Sequence, residues 1–278
     1  MVSFILYLLM VVLLDLGRAS LATQTIQSAA DVFATELARA PVGATKTFQE
    51  ALDDIDDPSE YVTKTIYDEG YLVIVLDESA DTQGELDGLF ASLPIVNQIL
   101  RPLMIRETLP DGSGTEVLRY PGAILEKADT PYGYTVMIPR VQYPAPGLGL
   151  GETILEWLPV IQEVLPDANA PSNFPINSTG PFPGYVNVRI NYPYQAAAIS
   201  AFREGALVSG DDGAVSDTAS LPDGVTFPAW NWQDDGAASP YAGQYGLGYH
   251  YALVQQVRPY RKVLSIQAAA RREGIFKP

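Results

Sequence analysis

Apolar residues recur through the first forty positions at intervals that alternate three and four: Leu9, Val12, Leu16, Ala19, Thr23, Ile26, Ala30, Phe33 and Leu37, with Thr23 the one polar member. That spacing puts them on one face of a helix. The stripe begins inside an uncharged run, Met1–Leu14, and crosses Asp15, Gly17 and Arg18 without losing register. Proline first occurs at Pro41, so nothing earlier forces the helix to stop. Forty helical residues reach about 60 Å, roughly twice the hydrocarbon core of a bilayer. The pattern predicts one helix over residues 1–40, its first part in a membrane and its second under a globular domain made by residues 41–278. Its candidate packing and assembly residues are Leu9, Val12, Asp15, Leu16, Arg18, Ala19, Ile26, Ala30, Phe33 and Leu37. Leu9 and Val12, inside the bilayer, are expected to meet another transmembrane helix. Ile26, Ala30, Phe33 and Leu37 are expected to lie on the protein's own sheet, against Tyr71–Leu76 or Tyr185–Tyr192. Asp15 and Arg18 are expected to find partners, because an unpaired charge is costly in a low dielectric.

Two other readings compete for this stretch. Phe4–Leu14 has the length of a signal-peptide core, and Ser20-Leu21-Ala22 resembles a small-x-small cleavage site. A signal peptide opens with Lys or Arg, however, and Met1–Leu14 carries neither. The run of fourteen is also short of the roughly 20 apolar residues of a full span, which suits a buried core helix. Asp15 and Arg18 can extend the span by pairing or by snorkelling to the interface.

Beyond Pro41 the pattern predicts a mixed α and β domain. Lys46–Asp57 spaces Phe48, Leu52 and Ile55 as a short helix does. Tyr71–Leu76 is a continuous β-branched run between Gly70 and Asp77 and reads as a strand. Asp81–Ile105 reads as helical pieces broken at Pro94 and Pro102. Glu116–Tyr120 and Tyr134–Ile138 read as strands, bordered by the turn-prone Tyr120-Pro121-Gly122 and Pro131-Tyr132-Gly133. Glu152–Leu165 carries Ile154, Leu155, Leu158, Ile161 and Leu165 at helical spacing, with Pro159 inside. Tyr185–Tyr192 alternates Val186, Val188, Ile190 and Tyr192 with Asn187, Arg189 and Asn191, as a half-buried strand does. Gln195–Arg203 reads as a helical turn or two, and Gly205–Gly248 as a long surface excursion. Tyr249–Gln267 returns to order with a closing strand over Val257–Ile266, and Arg271–Pro278 is a basic tail.

Charge narrows the function. The 278 residues carry a formal net charge of −16, which argues against a nucleic-acid binder, whose phosphate contacts need a basic face, and against electrostatic attachment to anionic lipid. Cysteine is absent, so disulfides, thiolate catalysis and cysteine metal sites are excluded. With His250 the one histidine, no multi-histidine metal site can form within a chain.

Little in the sequence points to chemistry. Gly147–Gly151 (GLGLG) lacks both GxGxxG spacing and the Lys-Ser/Thr of a phosphate loop. Asp211, Asp212 and Asp217 offer oxygens to calcium but do not follow an EF-hand. Trp230 and Trp232, with Phe227 and Tyr241, have the composition of a sugar-stacking platform, although such residues more often pin a long loop. There is no GxSxG elbow, and His250 lies between Tyr249 and Tyr251, where a packed side chain is the ordinary outcome. Asn177-Ser178-Thr179 matches the glycosylation acceptor pattern. No catalysis and no cofactor are expected.

The residues that follow the apolar run carry a resemblance. LLDLGRASLATQTIQSAADVFATELARA, residues 13–40, resembles the start of TadE-like and TadG-like proteins of tight-adherence pilus systems. In these an apolar span runs into an Asp-Leu/Phe-Gly-Arg step, here Asp15, Gly17 and Arg18. A helix rich in Ala, Gln and Asn follows, here with Gln24, Gln27, Ala29 and Ala30, and then an exported domain. The family carries a Glu near the start of its span, where this chain has Val2-Ser3-Phe4. Arg119-Tyr120-Pro121-Gly122 and Thr135–Pro139 resemble segments of the large TadE-like envelope proteins. The resemblance implies a pilin-like α+β fold: a long membrane-anchored helix on a mainly antiparallel sheet with additional short helices. It implies a pseudopilin-like structural or assembly subunit, anchored by a single pass in the inner membrane with the bulk of the chain periplasmic or extracellular. Its partners would be the lipid bilayer and other transmembrane helices or like subunits, and no nucleic acid. The rival expectations are a secreted polysaccharide-binding module and a membrane-tethered hydrolase.

Overall fold

The computed structural model describes residues 2–53, 65–76, 83–109, 112–142, 154–167, 170–194, 202–204, 221–226, 250–252, 255–259 and 262–273. It shows an α+β protein: one long N-terminal helix and a set of antiparallel sheets. The helix α1 runs unbroken over Val2–Arg39 and ends where Pro41 removes a donor. A short helix α2, Phe48–Asp53, follows. Thr47 and Glu50 begin it reciprocally: the Glu50 amide donates to Thr47 Oγ1 at 3.2 Å, and the Thr47 amide to Glu50 Oε2 at 2.7 Å. That exchange is a capping box, which satisfies two donors the helix leaves open. Residues 54–57, the remainder of the expected helix, lie outside the described residues.

A 3-10 turn, Glu69–Leu72, leads into the strand β1, Val73–Leu76. The predicted helical pieces are α3, Gln83–Ala91, and α4, Ile95–Leu100, with a further 3-10 turn at Arg101–Leu103. Pro94 stands immediately before α4, where a missing N–H costs nothing. The strands β2, Ile105–Thr108, and β3, Glu116–Arg119, form a hairpin, and β1 adds to its other side in the order β1-β3-β2.

A second sheet runs β10-β4-β5-β6, from β4 (Ala123–Lys127), β5 (Tyr134–Gln142), β6 (Ile154–Pro159) and β10 (Val225–Thr226). A third runs β13-β8-β7, from β7 (Ile161–Glu163), β8 (Tyr185–Tyr194) and β13 (Lys262–Arg271). A small fourth sheet joins β9 (Phe202–Glu204), β11 (His250–Ala252) and β12 (Gln255–Pro259).

Several elements differ from the sequence pattern. The closing strand expected over Val257–Ile266 is divided between β12 and β13, which belong to different sheets, and Ile105–Thr108 is a strand that the pattern did not announce. The helix expected over Glu152–Leu165 is extended: β6 pairs with β5 and β7 with β8. This stretch passes from one sheet to another at Val160, so its apolar residues serve two sheets, and the resulting irregular spacing imitates a helical one. Pro159 ends β6, and its carbonyl accepts Asn191 Nδ2 at 2.9 Å. Ala123–Lys127 is a strand that its five residues between two turns did not announce. Phe202 and Arg203, expected as helical, begin β9, and the rest of that expectation lies outside the described residues. Arg272, expected in a basic tail, is buried. Of the expected excursion over 205–248, only 221–226 is described.

The loop of 170–184 lies over the base of the third sheet and is held by one carboxylate. Glu163 Oε1 accepts from Ser172 Oγ at 2.9 Å, from the Asn173 amide at 2.9 Å and from the Phe174 amide at 3.3 Å. Burial nevertheless pushes the Glu163 carboxyl above its ordinary value of 4.5, the three hydrogen bonds opposing it. A raised folded-state value means that the folded protein binds the proton more tightly than the unfolded chain. The charge therefore costs stability as pH rises from about 4.5 through the folded value. Glu163→Gln keeps the accepting oxygen and removes the charge. Its melting temperature should gain on the wild type as pH rises from 4 to 7, whereas Glu163→Ala should lose about 1–3 kcal/mol throughout.

Candidate functional site

The helix α1 divides along its length into two surfaces of different fate. From Ala22 onward one face is closed: Ala22, Ile26, Ala29, Ala30, Phe33, Ala34, Leu37 and Ala38 are all buried. They lie on β8 and β13, with α4 and the adjoining 3-10 turn alongside. Of the two strands expected under the stripe, Tyr185–Tyr194 is the one α1 lies on. Five alanines let the helix come close to a sheet face made of Val186, Val188 and Ile190 on β8, with Leu264, Ile266, Ala268 and Ala270 on β13. Phe33 is the largest group at the contact. Its ring meets Tyr67 edge-on at 5.8 Å and Phe48 at 6.2 Å.

Ten consecutive pairs join β8 and β13, from Lys262 opposite Tyr194 to Arg271 opposite Tyr185. The ladder runs beside α1. At one end the Glu273 amide donates to Ala38 O at 3.0 Å. At the other the Tyr194 hydroxyl donates to Asp15 O at 2.8 Å. A ten-residue strand and twenty-three residues of helix both measure about 33–35 Å, so the match in length is what lets one strand back the helix throughout.

Asp15 marks the boundary. It is 3% exposed, and Arg18 Nη1 lies 3.9 Å from its Oδ1. Arg18 itself is exposed. Beside them are Tyr192 and Tyr194, with Tyr192 ring-edge on Tyr120 at 5.7 Å. Tyr120 is fully buried and donates its hydroxyl to Asn191 O at 3.0 Å; burial drives its phenol well above the ordinary value and keeps it a donor. Arg119, before it, donates to Glu107 Oε2 at 2.7 and 2.9 Å and to Gly122 O at 2.9 Å. Gly122 packs so closely on β5 that a Cβ would overlap Val136 Cγ1 and sit 2.9 Å from Met137 O. The Arg119-Tyr120-Pro121-Gly122 step is thus a structural corner between β3 and β4.

From Ser3 to Leu14 the helix is bare except at Val11, which is half-buried. Phe4, Ile5, Leu6, Tyr7, Leu8, Leu9, Met10, Val12, Leu13 and Leu14 are all exposed. Leu9 and Val12 are among them, and so is Leu16, at 65%. Ala19 is half-buried. The heptad-like stripe and the buried face thus diverge by one residue at Asp15. The domain covers the Asp15 position, and Leu16 is left outside. The sequence signal missed this because a carboxylate is not counted among apolar positions, yet Asp15, Ala19, Ala22 and Ile26 also follow at intervals of four, three and four.

The helix is long and apolar enough to cross a membrane. Among the described residues no group of His, Cys, Asp and Glu could hold a metal ion. Asp211, Asp212, Asp217, Trp230, Trp232 and Gly147–Gly151 lie outside the described residues. Asn177 is exposed on a turn closed by the Ser178 amide donating to Pro175 O at 3.1 Å. The chain matches no protein-family model, no curated protein and no solved structure.

Proposed function

We propose that the protein is a single-pass, membrane-anchored structural subunit with a pilin-like plan, of the kind its resemblance to TadE-like and TadG-like proteins implies. One observation carries this reading. A single unbroken helix is bare and apolar over its first part and buried in the domain over its second, so anchor and core are one element. Such a helix transmits position rigidly from the bilayer to the domain, which suits assembly and adds nothing to catalysis. The bulk of the chain would lie on the periplasmic or extracellular side of the inner membrane. The bare stretch would meet the lipid and other transmembrane helices or like subunits. A signal-peptide cleavage after Ala22 fits poorly, because it would remove the Asp15 carbonyl that Tyr194 holds and take Ala22 out of the core.

The test separates anchoring from folding. After membrane fractionation and a high-pH carbonate wash, the full-length protein should stay in the pellet; release into the soluble fraction would remove the anchor. Leu9→Asn and Val12→Asn change only exposed positions, so their melting should match the wild type within about 0.5 kcal/mol. Their recovery of co-purifying membrane partners should fall. Unchanged recovery in both would leave the assembly role without support.

A further inference from the structure

We infer that the end of the domain that meets α1 at Asp15 is seated in the lipid headgroup layer, with Arg18, Tyr192, Tyr194 and Lys262 at the interface, so that lipid covers α1 as far as Leu21. The inference rests on the membrane anchor and adds where the bilayer ends.

The surface that α1 leaves uncovered is the first argument. Leu16 and Leu21 remain 65% and 57% exposed, and Gly17 has open space around it. Arg18 and Ser20 are exposed before Leu21, and from Gln24 to Arg39 every exposed residue of the helix is polar: Gln24, Gln27, Ser28, Asp31, Glu36 and Arg39, with Gln27 donating to Asp31 at 2.9 Å. Leu21 is therefore the last apolar residue exposed on the outward side, whereas on the side the domain covers exposure ends at Asp15.

Those two levels differ by six residues, about 9 Å along the axis, comparable with one headgroup layer. The groups found between them are the ones that layer accepts. Asp15, the carboxylate that lipid would reject, is buried under the domain. Arg18 is exposed and long enough to reach phosphate. Tyr194, half-buried, and Lys262, exposed, face each other across the end of the β8–β13 ladder, with Tyr192 two residues in. Tyrosines and basic side chains are the usual anchors at this depth. Arg18 faces Asp15 of its own chain at 3.9 Å, and its exposed guanidinium keeps further N–H donors that a headgroup phosphate accepts.

The absence of cysteine makes the test direct. Single substitutions Leu6→Cys, Leu13→Cys, Leu16→Cys, Leu21→Cys, Gln24→Cys and Gln27→Cys, all at exposed positions, would each carry one nitroxide. The full chain is placed in phosphatidylcholine–phosphatidylglycerol vesicles, and collision with oxygen and with a water-soluble nickel chelate is measured. Oxygen should dominate from Leu6 through Leu21, and nickel at Gln24 and Gln27. In the Leu21→Cys background, Arg18→Glu with Lys262→Glu should move the label toward nickel. Nickel dominance already at Leu16, with Leu6 and Leu13 still in lipid, would overturn the seated domain and leave the anchor standing. Nickel dominance at Leu6 and Leu13 would remove the anchor itself. Poor access of both reagents at Leu16 and Leu21 would mean protein covers that face, and would also overturn the inference.

Discussion

Phe33→Asp should leave the domain unfolded while the chain still enters the membrane. Phe33 is fully buried between Tyr67, Phe48 and the sheet. Truncating such a ring alone costs about 3–5 kcal/mol. A carboxylate put in its place adds a desolvation penalty of several kcal/mol, because the surrounding groups are hydrocarbon and aromatic. The sum reaches the whole stability of an ordinary domain, about 5–15 kcal/mol. The detergent-solubilised variant should show no cooperative melting, with Phe33→Ala intermediate and lowered by about 6–20 °C. Carbonate extraction should leave both in the pellet. If Phe33→Asp melts like the wild type, α1 is not part of the domain, and the shared-helix plan falls with it.

The second large effect is expected at Arg272. Its guanidinium is 7% exposed and lies 4.3 Å from the centre of the Phe174 ring. It donates to Phe174 O at 3.1 Å, Val42 O at 2.6 Å and Gly43 O at 3.4 Å. Three separate parts of the chain meet on that one planar group: the end of β13, the turn after α1 and the loop of 170–184. Burial lowers its affinity for the proton, but arginine remains charged within folded proteins. Arg272→Ala would leave the carbonyls without their donor and open a space beside Phe174. A loss of about 3–5 kcal/mol is expected, since hydrogen bonds to a charged group contribute about 1.5–3 kcal/mol each and do not add fully. Arg272→Lys should recover less than half, because an ammonium on a single point cannot reach carbonyls spread across a fork. Equal melting of wild type and alanine variant would show that the clamp is ornamental.

These two residues also mark what the sequence could and could not disclose. Phe33 was legible because a helix repeats its buried positions, and the run through Ile26, Ala30 and Leu37 is long enough to make the period plain. The alternation of Val186, Val188 and Ile190 was legible for the same reason at a strand's period. Arg272 was not, because its role depends on carbonyls that only folding brings together, and in one dimension it stands beside Arg271 in a basic tail. The stretch of β6 and β7 failed differently. A segment that turns from one sheet to another keeps no single period, and Pro159 in its middle was as readable as a helix kink as it was as a strand end. At the boundary itself, Asp15 and Leu16 exchanged places. An apolar count favours the leucine, whereas the domain closes over the aspartate and leaves the leucine to whatever lies outside.

The partnership between α1 and β13 has a consequence for how the molecule is made. The helix leaves the ribosome before the sheets do, and the strand that covers much of its buried face is translated about 220 residues later. Contacts so distant in sequence are slow to form. Until β13 arrives, β8 has an open edge and Ile26, Phe33 and Leu37 lack part of their cover. An incomplete chain therefore shows an apolar, unpaired surface of the kind that aggregates or draws in chaperones. The domain cannot finish folding piece by piece behind its own synthesis. Its completion is tied to the delivery of Lys262–Arg271, so a chain stalled before that strand carries a visible sign that it is unfinished.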